Sequence, residues 1–317
     1  MVVRSRPLHE VPAGELRALL QEETVHWGEE LQWDYSEVSS AVASGFERRA
    51  LNGRVAHDGT RAVAYCYFMP DSGRAIVGSL YAREGFRGQG IEEDLLEPVL
   101  AEAKALPTHG RVECQTLFST APGAEERFAR AGFCGSARHY LMRELRPAPD
   151  CPPHSFRLRG LRRDDLPAAA DLIFRSHLRT IDAALNLTYS SPALCRGFVD
   201  TLVLRAGCGR FDGEASLVAE DGNGLMGVLL ASHLSRVNGH ICQVSVDPER
   251  QARGLGTVLM TRALDAFRVQ GLSTASLSVT VANEPAYRLY HRLGFRLKKE
   301  FAAHAWVRPP ARIELPP

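Results

Sequence analysis

The stretch VSVDPERQARGLGT, Val244 to Thr257, holds the residues of this chain best placed to do chemistry. A strand ending at Val246 meets Pro248, which cannot extend a ladder, and the loop that follows enters a helix through Gly254 and Gly256. The free N–H groups of a first helical turn point outward, and the helix dipole adds positive potential, so this turn suits a pyrophosphate. Glycine lets phosphate oxygens reach the backbone, and Arg250 and Arg253 add charge. The third glycine of a dinucleotide fingerprint and the Gly-Lys-Ser/Thr of a nucleoside-triphosphate loop are both missing. Downstream, VTVANEPAYRLYHRLGF puts Asn283 at the end of a strand and Tyr290 two turns into the next helix. Asparagine two residues ahead of Pro285 is also a helix-start signal, so Asn283 can cap that helix.

In this region the sequence resembles the GNAT superfamily of N-acetyltransferases. One signature, Gln/Arg-x-x-Gly-x-Gly/Ala, is matched by Gln251, Gly254 and Gly256. A second, Asn-x-x-Ala-x-x-Leu-Tyr-x-x-x-Gly-Phe, is matched by Asn283, Ala286, Leu289, Tyr290, Gly294 and Phe295. The resemblance covers Val244 to Phe295. It implies acetyl-CoA as co-substrate, with its pantetheine arm in a wedge between two splayed parallel strands ending near Val246 and Val281. The arm would pair with Val244, Ser245 and Val246. The pyrophosphate would sit on the amides of Gln251, Ala252, Arg253, Gly254, Leu255, Gly256 and Thr257. Asn283 and Ala286 would flank the arm, and Tyr290 would give a proton to the departing thiolate. A thiol of pKa ~8.5 and a tyrosine of ~10 make that transfer modestly uphill in water. An amine of pKa ~10.4 is mostly protonated at neutral pH, and freeing it costs about 4–5 kcal/mol unless a base assists. Many members carry a glutamate six residues ahead of the position of Val246. Here His240 stands there, and the expected base is its imidazole.

Plainer readings exist for each residue. Tyr290 can be a core aromatic, His240 an ordinary strand histidine, and Cys242 and Gln243 packing and ladder residues. His291 points around the helix from Tyr290 and reads as surface.

The elements that must position these residues occur twice. RPAPDCPPH, Arg146 to His154, cannot continue a helix or a central strand and divides the chain. Each half runs from a short strand through polar helical stretches to a strand pair, then strand, Gly-x-Gly, amphipathic helix, strand, and a short helix closed by Gly-Phe. The expected fold is α/β (α+β): two tandem GNAT folds, each a mixed, mostly antiparallel sheet with flanking helices and a central splayed parallel pair. The expected domains are 1–146, a linker at 147–155, and a catalytic 156–317. Aligning Gly88 and Gly90 with Gly254 and Gly256 sets Arg87 against Arg253 and Gly85 at the Gln/Arg position. Phe128 then stands for the tyrosine and Ala121 for the asparagine. Glu92, Glu93 and Asp94 crowd the helix start with negative charge. The first domain is therefore expected to be inactive, to bind CoA weakly or not at all, and to brace the second.

Composition bounds the rest. With 317 residues, 45% hydrophobic, 24% charged and net charge +1, the chain reads as soluble and globular, with no nucleic-acid or membrane partner expected. No secretory leader or spanning apolar run is apparent, and seven scattered cysteines without CxxC fit reduced thiols in a cytoplasm, with no metal site. The expected reaction is direct transfer of an acetyl group to a small-molecule or peptide amine, since no cysteine or serine is visibly paired with a base. The competing expectation is a non-catalytic CoA-binding sensor. A tandem copy satisfies the usual pairing surface within one chain, so a monomer with an intramolecular pseudo-dimer is expected.

Overall fold

The computed structural model describes residues 3–309 apart from 72, 109, 122, 147–150, 152 and 206. The strands are β1 Arg4–Pro7, β2 Asn52–His57, β3 Ala62–Asp71, β4 Arg74–Ala82, β5 Arg111–Gln115, β6 Cys134–Glu144, β7 Arg157–Gly160, β8 Arg210–Phe211, β9 Leu217–Asp221, β10 Gly224–His233, β11 Asn238–Val246, β12 Thr274–Thr280 and β13 Arg296–Val307. The α-helices are α1 Ala13–Leu31, α2 Ser36–Glu47, α3 Ile91–Ala105, α4 Ala124–Arg130, α5 Leu166–His177, α6 Ile181–Leu185, α7 Pro192–Leu204, α8 Leu255–Val269 and α9 Glu284–Arg292.

Two compact units result. The first takes the described residues of Met1–His26, Tyr35–Gly135 and Ala302–Pro317, and the second those of Trp27–Asp34 and Ser136–Phe301. These units cross the linear division expected at 147–155. β6, from the first sequence half, pairs antiparallel with β12 from Thr274↔Glu144 to Thr280↔Arg138, inside the second unit. The last residues of β13 pair with β5 from Ala303↔Gln115 to Val307↔Arg111, inside the first. Each half of the sequence thus ends in a strand that completes the sheet of the other unit. Of the expected linker, residues 147–150 and 152 lie outside the described residues.

Within the second unit the strands run β6-β12-β11-β10-β9-β7, antiparallel except for β11 and β12. One face packs α8, whose Leu259, Ala263 and Phe267 recur at helical spacing and are fully buried. Gly239 of β11 lies under Phe267, where a Cβ would come within 2.6 Å of the ring, so only glycine permits this approach. Truncating Phe267 would leave a cavity costing about 3–5 kcal/mol. The opposite face packs α5 and α7 through Leu172, Ile173 and Val199 against Val228 and Leu230.

A bulge shapes the centre. Leu230 faces Gln243 while Ala231 faces Ile241, which leaves Cys242 as an extra residue in β11. The parallel pairing of β11 with β12 starts at Asn238↔Thr274 and ends there, at Ile241↔Leu277. Both strands run on, to Val246 and Thr280, and diverge. The first unit repeats the device: Gly78 and Ser79 bulge from β4 opposite Tyr67, and the β4–β5 pairing ends at Val77↔Cys114.

Candidate active site

The expected splay is present in the second unit. Beyond Ile241 one edge of β11 pairs with β10 as far as Val246↔Gly227, while the edge turned toward β12 has no register partner. Val244 and Val246 therefore have no strand partner on this side; among the described residues their carbonyls take only side-chain donors, Gln243 at 3.4 Å and Gln251 at 3.3 Å, which leaves room for an extended amide-bearing ligand along the edge.

Next to it the loop turns on two left-handed residues, Ala252 at φ 59° and Gly254 at φ 80°. Alternating handedness folds successive N–H groups toward one point, an anion nest at the start of the 15-residue α8. Gly256 opens the next position: a Cβ there would lie 3.4 Å from Leu289 and 4.0 Å from Val246. A cavity of about 620 Å³ adjoins the loop, lined by Arg250, Arg253, Gly254, Leu255, Met226 and Phe156 among others. Arg250 is paired with Asp221 at 3.1 Å, whereas Arg253 makes no ion pair among the described residues. Glycine amides, a basic rim and a strand edge that β12 leaves unpaired fit the diphosphate and amide groups of a CoA thioester. Gln251 donates to the Val246 carbonyl at 3.3 Å, bracing the loop.

Asn283 caps α9, its side-chain oxygen accepting the Ala286 N–H at 3.3 Å. Pro285 follows in the first turn, so the start signal in the sequence is met. Two turns on lies Tyr290, buried edge-on to Phe295. Burial first, and the Asp182 charge second, push its phenol up to about 12. His291 is exposed and leans on Tyr287.

His240 stands level with Ser276 of β12, and its Nδ1 lies 2.9 Å from that hydroxyl. Its ring stacks on Tyr140 and tilts against Trp33. Burial alone pushes the imidazole down to about 3. These surroundings run against the base role expected of it: an imidazole this reluctant to be charged is a weaker proton acceptor than one in water.

Several site groups had no signature in the sequence. Tyr189 donates to Gln243 Oε1 at 3.1 Å and stacks face to face on His177 at 4.0 Å. Gln243 in turn donates to Ser245 Oγ at 2.9 Å, and Ser176 reaches the same hydroxyl at 2.9 Å. Thr280 donates to Asp182 Oδ1 at 2.5 Å, holding α6 over the end of β12. Trp33 and Tyr140 come from the first sequence half, Tyr140 on the exchanged β6 and Trp33 on the segment Trp27–Asp34 that joins the second unit.

The same elements in the first unit correct the expected alignment. α3 begins at Ile91 after left-handed Gly90, and α8 at Leu255 after left-handed Gly254. Gly88 at φ 68° matches Ala252, and Arg87 donates to the Ala82 carbonyl as Gln251 does to Val246. The copies thus align two residues away from the glycine-on-glycine match. Arg87 holds the Gln/Arg position, and Glu92 holds that of Gly256. The Glu92 side chain is buried at the start of α3. Burial pushes its carboxyl up, while the N–H groups of Glu92 and Gly88 and the Thr120 hydroxyl pull it back. Beyond its bulge the first splay is closed. Leu80 bridges Ser119, Thr120 N–H donates to Leu80 O at 3.0 Å, and Ala82 N–H to Thr120 Oγ1 at 2.9 Å. Phe128 does stand for Tyr290, since Phe133 N–H to Phe128 O repeats Phe295 N–H to Tyr290 O.

A parallel pair splayed at a bulge, with a glycine-led helix start beside it, defines an acyltransferase of the GNAT type. Residues 186–295 match the acetyltransferase (GNAT) family. Mycothiol acetyltransferase of Clavibacter sepedonicus is 30% identical over 231 residues, which cover 70% of this chain and 69% of that protein. Mycothiol acetyltransferase of Acidimicrobium ferrooxidans is 37% identical over 117 residues, 36% of this chain and 38% of that protein. Among solved structures, a GCN5-related N-acetyltransferase from Sphaerobacter thermophilus shares the fold at TM-score 0.67 and 19% identity, over 97% of this chain and 96% of that one. A tandem GNAT protein from the clavulanic acid biosynthesis pathway does so at 0.58 and 18%, over 98% and 100%. The chain belongs to the GNAT family of acetyltransferases, and its chemistry is N-acetyl transfer.

Proposed function

We propose that the second unit transfers an acetyl group from acetyl-CoA directly to a primary amine, and that the first unit neither binds acetyl-CoA nor catalyses. The observation that carries this reading is the β11 edge from Gln243 to Val246, which no residue of β12 pairs, beside the glycine-led start of α8. Acetyl-CoA supplies a thioester carbonyl open to an amine. Backbone groups of Val244 to Val246 hold the arm, and the amides of Gln251 to Thr257, with Arg253, hold the diphosphate. As the C–N bond forms and the C–S bond breaks, the sulfur keeps the electron pair and the nitrogen's surplus proton passes to water.

A phenol at about 12 stays protonated throughout the working range, so Tyr290 serves as a hydrogen-bond donor to that sulfur. Full transfer to a thiolate of pKa ~8.5 would be uphill by roughly 3.5 units, about 5 kcal/mol. His240 orders the wedge through Ser276 and takes no proton. The amine therefore enters neutral from solvent, and kcat/KM for the acceptor should climb with pH toward the amine's own pKa. The relatives named mycothiol acetyltransferase make an amine of the mycothiol type the first acceptor to try.

The test is thiol release from acetyl-CoA with that amine and a panel of others. Tyr290→Phe should lose about 10–100-fold in kcat with acetyl-CoA affinity unchanged. Equal rates in the two proteins would remove the tyrosine from the reaction. Tight acetyl-CoA binding with no amine turned over would replace the enzyme reading by a sensor.

A further inference from the structure

The reaction creates positive charge on the attacking nitrogen, and a site that speeds it benefits from a fixed negative charge at that point. Around the open wedge, the side chain in a position to supply one is Asp182. It lies on α6, a five-residue helix capped by the Thr180 hydroxyl, which accepts the Ala183 N–H at 3.3 Å. The chain reaches it through Arg179, held left-handed at φ 64°. A non-glycine residue there is strained, and such strain gathers where the surrounding structure needs one particular geometry. Here the turn folds the segment after α5 back over the strand ends, and Thr280, the last residue of β12, donates to Asp182 Oδ1 at 2.5 Å.

The groups facing Asp182 are Thr280 on β12, Tyr290 on α9, His177 at the end of α5, Tyr189 beyond α6, and Arg138, level with Thr280 on β6. Burial keeps His177 low, and both phenols stay neutral, so Arg138 is the permanent cation of this group. Asp182 is half-buried and tied by Thr280 to the end of β12, so its charge lies beside the splay, where it also acts on Tyr290, His177 and Tyr189.

Building on the acetyl-transfer reading above, we propose that Asp182 is the acceptor-facing carboxylate of the second unit. It takes an N–H of the incoming amine as a hydrogen bond and stabilises the charge that forms on the nitrogen as it bonds to the acyl carbon. Its bond from Thr280 fixes the carboxylate at the end of β12, where the splay opens. The acceptor class is then a primary amine that gains positive charge on attack, whereas an acceptor that attacks as an anion, such as a thiolate, would be repelled by it.

The experiment compares wild type with Asp182→Asn, Asp182→Glu and Thr280→Val, using spermidine, glucosamine and a dipeptide amide as probes, with acetyl-CoA binding measured separately by calorimetry. Asp182→Asn should lower kcat/KM for every amine that wild type accepts by about 100-fold, with acetyl-CoA affinity and the melting temperature unchanged. Asp182→Glu should recover part of the loss, and Thr280→Val, which keeps the carboxylate and removes its tether, should lose no more than about 5-fold. Asp182→Asn within 3-fold of wild type would overturn the proposal while leaving acetyl transfer standing. So would Thr280→Val losing as much as Asp182→Asn, since the pair would then serve only to hold α6. If wild type turned over no amine while binding acetyl-CoA, the reading beneath the proposal would fall, and the proposal with it.

Discussion

The two wedges of this protein start from the same construction and end differently. In both, four parallel residue pairs run to a bulge, and a helix starts beside it after a left-handed glycine. In the second unit the space beyond is left for a ligand. In the first, the chain fills both parts of it with its own atoms. Thr120 bonds the strand edge, and the Glu92 side chain is buried at the start of α3, one oxygen within 3.4 Å of the Thr120 hydroxyl and the other without a hydrogen-bond partner. Where no ligand pairs the strand edge, the backbone groups there still need partners, and a buried N–H without one costs ~1–3 kcal/mol.

The most severe way to challenge this comparison is to carry the filling across. Gly256→Glu places in the second unit what Glu92 is in the first, and the neighbours at Gly256 leave ordinary contact distance for a side chain. Acetyl-CoA should bind more than about 100-fold more weakly by calorimetry, with the melting temperature little changed. Near-normal affinity would show that the two positions are not counterparts.

A smaller effect separates the units by pH. Each buries a neutral imidazole, His304 in the first at about 4 and His240 in the second at about 3. Both folded values lie below the ~6.5 of an unfolded histidine, so the unfolded chain binds more protons as pH falls, and stability is lost from about pH 6.5 downward. At pH 5 that is roughly 1.5 units, or about 2 kcal/mol per histidine. Urea unfolding at pH 7 and pH 5 should show the loss, and His304→Gln should remove the first unit's share.

Smaller still is Gly90→Ala, which forces a side chain into a left-handed position at φ 85° and should cost ~1–2 kcal/mol. Turnover of acetyl-CoA should stay within 2-fold if the first unit takes no part in it, as proposed. Least of all is expected from Glu92→Gly. It restores the missing glycine, yet Thr120 still closes the strand edge, so calorimetry should count one acetyl-CoA per chain as before. A second bound molecule would mean that Glu92 alone had been excluding it.

The parts of the site that were legible in the sequence are those whose geometry is local. Helix caps and starts depend on neighbours a few residues away, so Asn283, Pro285, Gly254 and Tyr290 announced their elements and their order. The copies were misaligned by two residues because glycine spacing repeats at that interval while backbone handedness does not. Ala252 takes the left-handed position that Gly88 takes in the other copy, at a tolerable cost, so residue type alone pointed to the wrong partner. Asp182, Tyr189 and Trp33 were invisible because their neighbours lie far along the chain. The burial of His240 depends on Tyr140 of β6, a strand that the linear reading assigned to the other domain.

The exchange of final strands also sets a timetable for synthesis. A chain leaving the ribosome can assemble β1 to β5 early, but the edge at Arg111–Gln115 gains its partner only when Ala303–Val307 has emerged, long after β5 itself. Until then the first unit carries an open, partly apolar strand edge, the kind of surface on which nascent chains stick to one another. The second half, expressed alone from residue 156, would lack β6 and leave β12 bare in the same way. The two copies, however unequal in chemistry, are thus bound to be made as one chain and to finish folding together.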